Sequence, residues 1–155
     1  MDHLFLDANI LFSAAYRQDA GIGRLWHFDN VKLITSPYAA EEARINLTDT
    51  DQRQRLETLL GSVVIVTGVS GLPRGIVLPE KDRPILQAAI QARATHLLTG
   101  DKRHVGRYFG KRYGGVLVMA RPSTSAAEGT DQMDLRYALG VGLQHLLSML
   151  ARGLR

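Results

Sequence analysis

Four acidic residues fall where apolar runs of the chain end or helical patterns begin: Asp7, Glu42, Asp82 and Asp101. Asp7 closes the run His3-Leu-Phe-Leu and is followed by Ala8-Asn9. Asp101 closes Thr95-His-Leu-Leu-Thr-Gly, with Lys102-Arg103-His104 directly behind it. Ligands of open α/β sheets bind in the crevice outside the carboxyl ends of the strands. Two strands that each deliver an Asp therefore predict a site where carboxylates converge. Taken singly, Asp82 reads as a helix cap favoured by the helix dipole, and Glu42 as a solvated helix residue. Taken together, hard oxygen donors without Cys or paired His suit Mg²⁺ or Mn²⁺. An empty cluster of this kind repels itself and shifts its own pKa values.

The elements that must position these acids alternate along the chain. Residues 3–6 predict a short buried strand, and Ile10–Tyr16 a helix. Gly21 and Gly23 interrupt the pattern before a short helical piece around Arg24–Phe28. Val31–Thr35 is β-rich and bounded by Asp29-Asn30 and Ser36-Pro37, turn signals at both ends. Ser36 is a good N-cap with Pro37 at the first helical position, predicting a helix to about Leu47. Thr50–Leu60 predicts another, stopped by Gly61, and the β-branched run Val63–Val66 a strand. Gly68–Pro79 is loop-rich. Asp82–Arg93 predicts a helix with Ile85, Leu86, Ala89 and Ile90 on one face. Thr95–Thr99 and Gly115–Ala120 are the last strands. The expected fold is one three-layer α/β domain over residues 1–120, its central parallel sheet covered by helices on both faces. A linker at 121–130 then leads to a C-terminal helix within 131–155, which packs on the domain or mediates association.

Composition fits this frame. The chain has 155 residues, 45% apolar and 22% charged, and a mean hydropathy of −0.07, values of an ordinary globular domain. There is no cysteine, which excludes disulfides, thiolate metal sites and a cysteine nucleophile. With no basic region before a long apolar run and no spanning stretch, no membrane role and a cytoplasmic location are expected. The net charge of +4 leaves a basic surface around an acidic pocket, suited to attracting a polyanion. Lys102, Arg103, Arg107, Lys111 and Arg112 are interleaved with Tyr108, Phe109 and Tyr113. That pattern suggests a phosphate-contacting and base-stacking surface, or else a solvated segment with aromatic core anchors.

The ordered series Phe5-Leu-Asp7-Ala-Asn9, Thr35-Ser-Pro-Tyr-Ala-Ala-Glu-Glu42, Asp82-Arg-Pro-Ile-Leu and Leu98-Thr-Gly-Asp101-Lys-Arg-His104 resembles the motifs of PIN-domain nucleases. The likeness covers residues 3–120, and the ordered set of four is more specific than any one motif. It implies a PIN-like fold and a divalent-metal-dependent ribonuclease with metal-binding, catalytic acids at Asp7, Glu42, Asp82 and Asp101. Glu42 is preferred over its neighbour Glu41 because it lies six residues after Ser36. The resemblance also implies supporting polar roles for Asn9, Ser36 and Thr99, and RNA contacts from Lys102, Arg103, Arg107, Lys111 and Arg112. The family includes the toxin ribonucleases of toxin–antitoxin pairs, so a cognate antitoxin protein and a homodimer are further expectations.

Phosphodiester hydrolysis needs an activated water and neutralised phosphate oxygens, which carboxylates supply only through a bound cation. The alternative class is a non-catalytic RNA- or protein-binding domain of the same shape. An Asp-nucleophile phosphatase using Asp7 fits less well, because Asn9 stands where that chemistry wants a second Asp. The glycines at 68, 71 and 75 do not make a dinucleotide-binding turn, since their spacing is wrong and Pro73 and Pro79 prevent an immediate helix.

Overall fold

A computed structural model describes residues 1–18, 20–67, 74–77 and 83–120, with Arg83 described in its backbone alone. The chain forms an α/β domain whose strands are β1 (Asp2–Leu6), β2 (Val31–Thr35), β3 (Val64–Ile65), β4 (His96–Thr99), β5 (Arg112–Tyr113) and β6 (Val116–Ala120). The α-helices are α1 (Ala8–Tyr16), α2 (Pro37–Asn46), α3 (Thr50–Leu60), α4 (Arg83–Gln91) and the short α5 (Lys102–Val105). Tighter 3₁₀ turns run over Gly21–His27 and Gly106–Tyr108. Asp82, the 121–130 segment and the expected helix within 131–155 lie outside the described residues.

Several helices begin on the side chain that the sequence offers as a cap. Asp7 accepts from the Ala8 amide, the Ser36 hydroxyl accepts from Ala39, and Asp49 accepts from Asp51 and Gln52. Each satisfies amides that the first helical turn leaves without a partner. α4 ends two residues earlier than its apolar pattern suggests. Arg93 there takes a left-handed conformation (φ 53°), and the Ala94 amide reaches back to the Ala89 carbonyl.

The sheet order is β3-β2-β1-β4-β6-β5, parallel except for the β5–β6 pair. Alternate residues of each central strand enter opposite cores, as the two-residue period of a strand requires. Leu4, Leu6, Leu33, Leu98, Leu117 and Met119 face one cluster, closed by Ile10 and Leu11 of α1, Ala40 and Ala43 of α2, and Leu56 of α3. Phe5, Ile34, Leu97, Val116 and Val118 face the other, closed by Leu86, Ala89 and Ile90 of α4 and Val105 of α5. Burial on both faces explains why these strands read as continuous apolar runs.

The last strand differs from its expected bounds. Gly114 and Gly115 form the two-residue turn of a β5–β6 hairpin, both with positive φ (56° and 84°), instead of opening β6. That geometry matches the right-handed twist of the paired strands and demands glycine-like freedom at both positions. β3 is also shorter than its β-branched run: Val64 and Ile65 pair with Ile34 and Thr35, and the Val66 amide adds a last bond to the Thr35 carbonyl at 2.9 Å.

Candidate active site

Strand order decides where a ligand can sit. The chain moves from β1 to β2 to β3 on one side, then crosses back so that β4 pairs with β1 on the other. The carboxyl ends of β1 and β4 therefore flank the topological switch point, where the connecting chains diverge and leave a crevice. Asp7 and Asp101 are the residues those two ends deliver. The Asp7 amide extends the pairing by donating to the Leu98 carbonyl at 3.1 Å.

A polar network ties the two ends together. Thr99, fully buried, donates its hydroxyl to Asp7 Oδ2 at 2.6 Å and accepts the Asp101 amide at 3.0 Å. Asn9 donates to Asp7 Oδ2 at 3.2 Å and accepts the Gly100 amide at 2.8 Å. The other Asp7 oxygen accepts the Ala8 amide at 2.7 Å. One side chain on β1's end and one on β4's end thus hold the same carboxylate from two directions. Asn9 and Thr99 both donate to Asp7. Ser36 works one step away, capping α2 through the Ala39 amide at 3.1 Å.

Electrostatics brings in the third acid. Burial pushes the Asp7 carboxyl above its ordinary value, and the charge of Asp101 adds to the rise, against hydrogen bonds from Thr99, Ala8 and Asn9. Glu42 is also raised, first by partial burial, then by the charges of Asp7 and Asp101. Glu41 faces elsewhere and pairs with Arg44, which also holds Glu57. Of the two neighbouring glutamates, Glu42 is the one whose carboxyl the charges of Asp7 and Asp101 raise. Asp101 behaves differently: partial burial pushes it up, but hydrogen bonds from the His104 ring and amide outweigh that and hold it below the ordinary range. The His104 Nδ1 lies 2.8 Å from Asp101 Oδ2, one helical turn on.

The sequence motifs do not single out Thr35. Thr35, fully buried at the end of β2, donates to the Leu6 carbonyl at 2.8 Å and locks β2 against the residue before Asp7. The signal for it is the parallel between Leu-Ile-Thr35 and Leu-Leu-Thr99, apolar strands that both end on threonine. His104, the residue that closes the Asp101-Lys-Arg-His run, is partly exposed and bonded to Asp101. Its i, i+3 spacing from that acid is what the sequence shows of the contact.

Compared with known proteins, the chain matches no family model, and no curated protein is significantly similar to it. Its chemistry is therefore read from the site itself. The donor set of Asp7, Glu42 and Asp101 is carboxylate only; the charge of Asp101 raises Asp7 and the charges of both raise Glu42, a repulsion that a divalent cation would relieve. Among the described residues no three Asp, Glu or His side chains are gathered closely enough to hold an ion as they stand, and Asp82 lies outside that set. Shared repulsion and hard oxygen donors fit Mg²⁺ or Mn²⁺.

The basic segment after Asp101 divides by residue type. Lys102, Arg103, Arg107, Lys111 and Arg112 are exposed. Tyr108, Phe109 and Tyr113 are half-buried against the second core cluster, and the Tyr113 hydroxyl donates to the Val77 carbonyl at 2.7 Å. Tyr108 and Tyr113 pack ring to ring with centroids 5.2 Å apart, and the Arg107 guanidinium lies 4.9 Å from the Tyr108 centroid. These rings anchor the segment, so base stacking by them is replaced by packing. The cations remain at the surface.

Proposed function

We propose that the chain is a divalent-metal-dependent ribonuclease of the PIN-domain type, hydrolysing RNA phosphodiester bonds. The observation that supports it best is the placement of Asp7 and Asp101 at the carboxyl ends that flank the switch point, tied together through Thr99, with the charges of both acids felt at Glu42. Asp7, Glu42 and Asp101, with Asp82 placed by sequence, would hold Mg²⁺ or Mn²⁺. Such a cation supplies charge neutralisation at the phosphate and a more acidic water.

The chain's own groups do the rest. Thr99 and Asn9 fix the orientation of Asp7, so its carboxylate needs no reorganisation on loading. Glu42 is exposed to solvent and more basic than an ordinary carboxylate, which suits it to receive the proton of the attacking water. The water oxygen bonds to phosphorus, the leaving oxygen departs with the electron pair, and solvent returns a proton to it. Exposed Lys102, Arg103, Arg107, Lys111 and Arg112 would hold flanking phosphates. A role as the toxin of a toxin–antitoxin pair, with an antitoxin partner, a homodimeric state and a cytoplasmic location, belongs to the same reading. Among the described residues no helix is long and apolar enough to cross a membrane.

A second reading, a non-catalytic RNA- or protein-binding domain, draws on one contact: His104 already occupies both Asp101 oxygens. Cleavage of mixed single-stranded RNA with EDTA, Mg²⁺ or Mn²⁺, beside an Asp101→Asn control, separates the two. The ribonuclease cuts only with metal and only with Asp101 intact. A folded protein that neither cuts nor binds a divalent ion by calorimetry refutes the enzyme and leaves the binding domain.

A further inference from the structure

We propose that His104 is a positioning residue that latches Asp101: its ring holds one carboxylate oxygen of the metal-free chain, and a cation enters by displacing it. The inference rests on the ribonuclease reading and concerns how that same site is loaded. The two Asp101 oxygens are held by different parts of one residue. Oδ1 accepts the His104 amide at 3.1 Å, the backbone bond that caps α5. Oδ2 lies 2.8 Å from the His104 Nδ1. An ionised carboxylate only accepts, so Nδ1 carries the hydrogen, and the neutral ring suffices for the bond. The Asp101 amide is fixed in turn on the buried Thr99 hydroxyl at 3.0 Å.

This division of contacts decides what the ring does. A side chain that alone oriented a metal-binding acid would weaken the site when removed. Asp101 is oriented without the ring, because Thr99 holds its amide and the α5 backbone holds Oδ1. What the ring adds is a donor on Oδ2 that competes with a cation for the same oxygen. The His104 side chain is 43% exposed and Asp101 32%, so the imidazole has open water to swing into. Asp7 is held differently, by the fully buried Thr99 and by Asn9, with no exposed partner to release. The latch also accounts for an uneven cluster. Burial pushes both Asp7 and Asp101 up, yet Asp101 ends below its ordinary value through the His104 ring and amide. Among the described residues the acids do not stand close enough to hold an ion, as a site with one acid held back requires.

The test is calorimetric titration of the full chain with Mn²⁺ and with Mg²⁺ at a pH of about 8, where an ordinary histidine is neutral. His104→Ala should bind both ions roughly three- to tenfold more tightly than wild type. His104→Asn offers an amide donor in place of Nδ1 and should keep the affinity near wild type. Metal-free melts check that each variant is folded. In nitrogen-15-labelled wild type, Mg²⁺ should shift the His104 Nδ1 resonance as its bond to Oδ2 breaks. An affinity unchanged or weakened in folded His104→Ala refutes the latch and leaves the ribonuclease reading standing. Nitrogen coupling to bound Mn²⁺ in pulsed electron paramagnetic resonance, lost in His104→Ala, would make the ring a metal ligand and overturn the latch as well. If neither wild type nor His104→Ala binds a divalent ion, the metal site itself falls and takes the latch with it.

Discussion

Asp7 is the residue at which the fold works against its own charge. Burial disfavours its ionised form, the charge of Asp101 deepens the penalty, and three hydrogen bonds only partly offset them. The folded chain therefore binds a proton at Asp7 more tightly than the unfolded chain does. Its contribution to stability falls as pH rises from the ordinary carboxyl value of 3.8 through the raised folded value. Asp101 runs the opposite way, since its depressed value gives stability above the ordinary range that is lost as pH falls through the folded value. Asp7→Asn should thus raise the melting temperature of the metal-free protein at neutral pH, with roughly 2–4 °C expected for each kcal/mol relieved. The same substitution should abolish RNA cleavage and remove the stabilisation that Mn²⁺ gives wild type. Thermal melts with and without Mn²⁺ check this, and a metal-free melt lowered by Asp7→Asn would show that its hydrogen bonds outweigh the repulsion.

At the scale of elements, the pieces that carry the acids end on small polar residues with long-range partners. Thr35 reaches from β2 to Leu6, and Thr99 reaches Asp7 across 92 residues of sequence while also holding the Asp101 amide. The hairpin of β5 and β6 closes the other side, where Gly114 leaves no room for a side chain. A Cβ there would lie 2.7 Å from Ile90 Cδ1 and 3.0 Å from Ile76 Cδ1, with φ at 56°. Gly114→Ala should cost about 1–3 kcal/mol through strain and overpacking, read as a lower urea midpoint with unchanged slope. Gly115→Ala meets nothing within 4 Å, so it should cost less, through its φ of 84° alone. The Gly-Gly pair between Tyr113 and Val116 is a recognisable hairpin signal. The apolar run that follows masked it, because nothing local says whether Gly115 opens a strand or closes a turn.

For the whole molecule, charge is arranged in opposition: acids converge at the switch point while cations of the 102–112 segment stay exposed beside them. RNA held by those cations should bind with an affinity that falls steeply with salt, by about 0.7 in log–log slope for each phosphate neutralised on a single strand. Fluorescence anisotropy against NaCl should show the slope of an Arg103→Ala, Lys111→Ala double variant shallower by about 1.4. An unchanged slope would place the phosphates elsewhere.

The sequence by itself determined which residues could do chemistry and what carries them. The apolar runs, the Ser36-Pro37 start and the Asp that follows each of two strands, β1 and β4, are local patterns, fixed within a few residues by strand period and capping. It did not determine that β1 would stand between β2 and β4, since strand order follows from which faces the helices must cover over the whole chain. Nor did it determine that three of the interleaved rings would pack inward while Tyr38 stayed out. Those are decided by helix phase and by competition for two cores, and both exist only once the sheet has closed between its helices.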